Sequence, residues 1–201
     1  RMTKDFLDGR DWHSLVAKQG RTSMPGRVEG GPCFYLGQLL KGCQMTVRIG
    51  ITANPEQCAR RYEDFLSVGH YFLPKAEETL AILSKKYRLY LASNGTAKVQ
   101  AGRLKSANIS HYFERIFVSQ EIGANKPSPE YFSRCFATIT DFDPKRAIMV
   151  GDSLSSDILG GKNAGILTCW VNPNHKSAPP ELQPDYEIEY FHQLPKLLET
   201  L

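Results

Sequence analysis

The second half of the chain alternates short, mostly apolar runs with longer segments whose apolar residues recur three or four positions apart. The runs lie at 87–92, 115–118, 147–150 and 166–171, with a shorter one at 186–188, and each has the length and composition of a strand buried in a sheet. The segments between them read as helices. The first, 75–86, is opened by Pro74 and turns Ala76, Leu80 and Leu83 inward; 96–107 carries Val99 and Leu104 on one side; 127–138, 156–164 and a last helix from Phe191 follow. A proline-rich loop through Pro179 and Pro180 leads to the final short strand. Strands alternating with helices of this length predict βαβ units, hence an α/β fold with a mostly parallel sheet. Right-handed crossovers bring the carboxyl ends of such strands to one edge, where open α/β sheets bind ligands. Ser93, Ser119 and Asp152 all fall on that edge.

The first half has a different character. Phe6, Trp12, Leu15 and Val16 are spaced as on a helix over 2–19, and Gly20 is a suitable stop. Residues 21–50 are then broken by Gly26, Gly30, Gly31, Gly37, Gly42 and Gly50 and by Pro25 and Pro32, a pattern with no clear period. Only 33–40 and 45–51 hold enough apolar residues for short elements. Order returns at Asn54-Pro55, an N-cap followed by proline at the first helical position, leading into a helix over 56–67 with Tyr62, Phe65 and Leu66 on one face. The expected organisation is therefore a partial helical unit at 1–73, containing the irregular segment 21–50, and an α/β unit at 74–201.

Composition narrows the possibilities further. A chain of 201 residues suits one domain with a small appendage. The lysines and arginines behind its net charge of +4 are scattered, which gives little support to nucleic-acid binding and favours small anionic ligands. The five cysteines, Cys33, Cys43, Cys58, Cys135 and Cys169, form no CxxC pair, which argues against a zinc site and for a reduced compartment. No apolar run approaches the roughly 20 residues of a membrane span, and residues 1–20 are too charged for a secretory signal. A soluble, cytoplasmic protein with no membrane contact is the expectation.

Three places at the predicted edge carry chemistry. Ala147-Ile148-Met149-Val150-Gly151-Asp152 delivers one carboxylate at the end of a strand, and Asp157 follows five residues later. Two acids held close together, partly out of water, repel unless a cation lies between them or one is protonated. A hard cation such as Mg²⁺ answers that need; the alternative is that both acids cap the following helix. Ser93-Asn94-Gly95 stands where a strand turns into a helix, so a hydroxyl and backbone N–H groups can meet an anion there, or the three residues can form a capping turn. Lys126, fixed by Pro127, can reach the same edge and neutralise a phosphate or the acids, or can be an ordinary solvated lysine. Gly160-Gly161-Lys162-Asn163 looks like a phosphate-binding P-loop but lacks the first glycine and the following Ser or Thr, so it is assigned to helix packing.

In this order and spacing, Leu89-Tyr90-Leu91-Ala92-Ser93-Asn94-Gly95, Gly123-Ala124-Asn125-Lys126-Pro127 and Met149-Val150-Gly151-Asp152-Ser153-Leu154-Ser155-Ser156-Asp157 resemble the second, third and fourth motifs of the haloacid dehalogenase-like (HAD) phosphohydrolases. Their detail is similar to the branch of 5′-nucleotidases acting on pyrimidine and noncanonical nucleotides. The likeness is strong over residues 74–172. It implies a Rossmann-like three-layer core with the remnant of a helical cap, and Mg²⁺-dependent hydrolysis of phosphomonoesters, nucleoside 5′-monophosphates foremost. By the same resemblance Ser93, with the backbone at Asn94 and Gly95, binds the transferring phosphoryl group and Lys126 stabilises its charge. Asp152 binds Mg²⁺, and Asp157 supports the metal or holds Lys126.

One part of the family pattern is missing. The resemblance implies an aspartate nucleophile in D-x-D-x-[TV], which forms an aspartyl-phosphate, with a second acid for proton transfer. No such motif precedes Ser93. Asp5, Asp8 and Asp11 lie in a helical pattern, and Asp141-Phe142-Asp143, followed by Pro144, precedes a strand instead of ending one and reads as a turn. The expectation is a core without the first, nucleophile-bearing strand. The alternatives to an active phosphatase are a phosphate-binding or regulatory homologue and a truncated fragment.

Overall fold

The computed structural model describes residues 55–201, so the expected helix over 2–19, the irregular segment 21–50 and the short elements at 33–40 and 45–51 lie outside the described residues. Helix α1 (Pro55–Ser67) comes first, then α2 (Ala76–Leu83). The predicted βα alternation follows as β1 (Tyr90–Ser93), α3 (Ala97–Ala107), β2 (Arg115–Val118), α4 (Ser119–Ile122), α5 (Pro129–Phe136), β3 (Ile148–Gly151), α6 (Leu159–Asn163), β4 (Leu167–Val171), β5 (Tyr186–Ile188) and α7 (Leu194–Leu198).

All strand pairs among the described residues are parallel. They form two sheets, β1–β2 and β3–β4–β5. Residue alternation along the strands assigns the helices to two faces. Leu91 of β1, Val150 of β3 and Cys169 and Val171 of β4 share a core with Ala76, Leu80 and Leu83 of α2, Leu104 of α3 and Leu194 of α7. Their neighbours Tyr90, Phe117 and Met149 point the other way, into a second core with Tyr131, Phe132 and Cys135 of α5. The result is three layers with helices on both sides of parallel strands, a Rossmann-like α/β core. Among the described residues no helix is long and apolar enough to cross a membrane.

Several boundaries depart from the apolar pattern for identifiable reasons. The expected strand at 87–92 begins three residues late, because the N–H groups of Lys86 and Tyr87 close the end of α2 on the carbonyl of Leu83 (3.0 and 2.9 Å). The helix expected from Pro127 opens at Pro129, where the Ser128 hydroxyl accepts from the Glu130 N–H (3.2 Å). The helix expected over 156–164 begins as a wide π-type turn, Leu154–Ile158, before narrowing into α6. Asp141-Phe142-Asp143 is a turn, as expected: Asp141 adopts a left-handed φ of 55° and the Asp143 carboxylate accepts from the Lys145 N–H (2.9 Å).

The Gly160-Gly161 pair also behaves as helix packing. A Cβ at Gly160 would lie 2.6 Å from the Phe132 ring, and one at Gly161 would lie 2.7 Å from the Thr168 methyl. Both glycines thus let α6 press against α5 and β4, and neither forms a phosphate loop.

Burial also sets the chemistry of two cysteines. The thiols of Cys135 and Cys169 are pushed up to about 12, chiefly because the interior disfavours their charged form. Since the thiolate is the reactive species, both should resist iodoacetamide at pH 8 in the folded protein and react once it is denatured. Peptide mapping by mass spectrometry reads this directly, and modification of folded protein at the rate of a free thiol would contradict it.

Candidate active site

Ser93 ends β1, Ser119 follows β2 directly and Asp152 follows β3, so the three expected edge residues do stand at the carboxyl ends of parallel strands. Register brings the first two together, since Ser93 pairs with Val118, the residue before Ser119. Ser93 is buried, and its Oγ has no hydrogen-bond partner among the described residues. A buried hydroxyl of this kind carries the desolvation penalty of an unmade bond.

Lys126 reaches this place from the loop before α5 and is only 4% exposed. Its ammonium donates to the Ala92 carbonyl and to Asp157 Oδ1, each at 2.8 Å. The bond to Ala92 sets the charge beside the last residues of β1, one position from Ser93. Two of the three ammonium N–H bonds are used in these contacts. The backbone of Lys126 is fixed separately: its N–H donates to Asn94 Oδ1 (2.8 Å) and its carbonyl accepts from Asn94 Nδ2 (2.9 Å).

Asp157 is fully buried. Oδ1 accepts from the Lys126 ammonium, and Oδ2 accepts from the Ser153 N–H at 3.1 Å. The π-type turn makes this possible, because the Ile158 N–H reaches back to the Ser153 carbonyl (3.1 Å) and so widens the loop around the carboxylate. Gly151 completes the fit, since a Cβ there would collide with the Asp157 carboxylate. Of the two roles expected for Asp157, metal support and holding Lys126, the bonds present are those of the second. Asp152 lies at the end of β3, its backbone carbonyl anchored by the Trp170 indole N–H (2.9 Å).

The Gly95 N–H, expected to face an anion, instead donates to Ser119 Oγ (3.0 Å), while the Ala97 N–H at the start of α3 is taken by Gln120 Oε1 (2.8 Å). The side chain of Asn94 is likewise committed to Lys126. Sequence reasoning placed Ser119 on the edge without a role and missed the carboxamide clamp, the Trp170 anchor and Gln120. Nothing in their spacing distinguishes them from ordinary loop residues.

The donor set can be tested against Mg²⁺, which is commonly held by one or two carboxylates with waters and phosphate oxygens. No cluster of three or more His, Cys, Asp or Glu side chains occurs among the described residues. Both oxygens of Asp157 are already taken by Lys126 and Ser153, so Asp152, at the end of β3, is the carboxylate of the pair that would be left to hold such a cation.

Residues 41–171 match the model of the haloacid dehalogenase-like hydrolases. The chain belongs to the haloacid dehalogenase-like hydrolase family. Among its relatives, the HAD-hydrolase YfnB of Bacillus subtilis (strain 168) is 36% identical over 149 residues, 74% of this chain and 63% of that protein. The pyrimidine 5′-nucleotidase PynA of Streptococcus pneumoniae is 35% identical over 137 residues, 68% of this chain and 58% of that protein. The pyrimidine 5′-nucleotidase YjjG of Escherichia coli (strain K12) is 34% identical over 126 residues, covering 63% and 56%. The chain thus spans less than two thirds of the length of these HAD relatives. The crystal structure of B. subtilis YfnB bound to magnesium superposes with a TM-score of 0.70 at 30% identity, covering 82% of this chain and 81% of that one.

Gly151 offers a test of how tightly the HAD edge is built. Gly151→Ala should destabilise the fold by about 1–3 kcal/mol, the usual range for overpacking. It should also release Asp157 from the Ser153 N–H. Urea unfolding with amide exchange at Ser153 measures both, and a variant as stable as the parent with Ser153 still protected would contradict the fit.

Proposed function

We propose that the sheet edge is a phosphomonoester site serving Mg²⁺-dependent hydrolysis, with nucleoside 5′-monophosphates as the substrate class. The observation that carries this reading is the buried, unpartnered Ser93 hydroxyl one position from a carbonyl that the Lys126 ammonium already touches. A phosphoryl group would give the hydroxyl its missing bond and meet the positive charge in the same place. Phosphoryl transfer asks a protein mainly for positioning and for neutralisation of the equatorial oxygens, and these two residues supply both. The pyrimidine 5′-nucleotidases among the relatives support the choice of substrate class.

Ser93 would donate to one phosphoryl oxygen while Lys126 neutralises the charge shared among them. Asp157 keeps the lysine in place, and its own charge is compensated by that contact. Asp152 would be the carboxylate that holds Mg²⁺, whose contribution when bound is further neutralisation of phosphate oxygens. The helix start at Gly95 can join only by exchanging its bond to Ser119 Oγ, which makes Ser119 a competitor for the amide that an anion would want.

A second reading is that the site binds phosphate without turnover: the one D-x-D of this sequence, Asp141-Phe142-Asp143, lies in the turn before β3, where Asp143 accepts from the Lys145 N–H. The organisation proposed for the chain remains a helical cap portion at 1–73 and an α/β core at 74–201.

Phosphate release from uridine 5′-monophosphate, with and without Mg²⁺, separates the readings. Hydrolysis predicts Mg²⁺-dependent release that falls by at least about 100-fold in Ser93→Ala or Asp152→Ala, the scale of losing an electrostatic stabiliser. Binding alone predicts a phosphate-dependent rise in melting temperature that Ser93→Ala reduces, without release. The absence of both release and stabilisation would overturn the site.

A further inference from the structure

We infer that Asn94 is a positioning residue for the Lys126 charge, acting through its side chain, and that this role rests on the phosphate reading only for its consequence. The carboxamide spans both backbone polar groups of Lys126, accepting its N–H at 2.8 Å and donating to its carbonyl at 2.9 Å across 32 residues of sequence. The other end of the same lysine meets the carbonyl of Ala92. Residues 92 and 94 therefore grip Lys126 from both ends, and Ser93, with its unpartnered hydroxyl, is the residue between them.

This arrangement fixes the ammonium relative to that hydroxyl within three consecutive residues of β1 and its continuation. Asp157 alone could not do so, because it comes from the loop after β3, and β1 and β3 belong to different sheets among the described residues. Asn94 is the contact that registers the lysine loop against β1.

The chemistry of the clamp restricts what can replace it. A carboxamide offers an acceptor and a donor side by side. Aspartate at 94 would keep the bond from the Lys126 N–H but set an oxygen against the Lys126 carbonyl, and alanine would lose both bonds. The buried N–H and carbonyl left behind would then seek other partners, and the loop would move to find them.

Reductive methylation of Lys126, quantified by peptide mass spectrometry on the full 201-residue chain, reads the position of the ammonium without any ligand. The parent should be protected, whereas Asn94→Ala should be methylated at least about tenfold faster, as expected when a buried bond pair is lost. Leu80→Ala, a core truncation in α2 that has no part in the hydrogen bonds of Asn94 or Lys126, controls for general loosening and should leave Lys126 protected. Should Asn94→Ala fail to fold, Asn94→Asp decides by the same measurement. A folded Asn94 variant whose Lys126 stays as protected as in the parent would overturn the inference, as would equal exposure of Lys126 in Leu80→Ala at matched stability. Titration with inorganic phosphate adds the consequence: the Asn94 variants should bind it more weakly than the parent. If the parent gives no response to phosphate, the phosphate reading fails while the methylation result still decides the role of Asn94.

Discussion

The edge of this molecule depends on one buried pair of opposite charges. Lys126 and Asp157 meet at 2.8 Å with side chains 2% and 0% exposed. Taking two ions out of water is expensive, and their attraction repays the expense only when geometry is good and remaining donors and acceptors are satisfied. Each surrounding feature meets part of that condition. The Ala92 carbonyl accepts a second hydrogen bond from the ammonium, the Ser153 N–H donates to the second carboxylate oxygen, and Asn94 fixes the lysine backbone. Gly151 and the widened turn at Leu154–Ile158 give the carboxylate the room to be there.

The pair also ties together residues from different elements. Lys126 comes from the loop that leads into α5, Asp157 from the turn after β3, and the carbonyl that also accepts from the lysine from β1. The two sheets share the core built around Leu91 and Val150, but apolar contact is non-directional and does not fix an edge to the accuracy phosphoryl chemistry needs. A satisfied ionic network does. On the proposed phosphomonoester reading, the Lys126 charge is then already in position when the ligand arrives, so little of the binding energy is lost in ordering it.

Much of this was legible in the sequence, and for a physical reason. Apolar runs at 115–118 and 186–188 coincide with β2 and β5 because strand burial writes itself directly into composition. The acids and hydroxyl at the edge were legible because the topology of α/β sheets sends strand ends to one place. The boundary at Tyr87 was not, since an aromatic residue suits a helix end as well as a strand, and a backbone bond to Leu83 decided between them. The role of the Asn94 side chain was hidden for a different reason. A carboxamide that bonds a backbone 32 residues away leaves no periodicity, and the same Ser-Asn-Gly serves equally well as a capping turn. Ser119 was placed correctly, yet its bond to the Gly95 N–H turns an expected anion donor into an internal contact. Sequence thus located the groups at the strand ends; only the structure shows which of them are bonded to one another.

The most direct test is a double-mutant cycle on Lys126→Met and Asp157→Leu, followed by urea unfolding. Each single variant leaves an uncompensated buried charge and should lose about 3–5 kcal/mol. The double variant, which buries neither charge, should be much closer to the parent than the sum of the two losses. Single losses of less than about 1 kcal/mol that simply add, the behaviour of an exposed pair, would contradict the account.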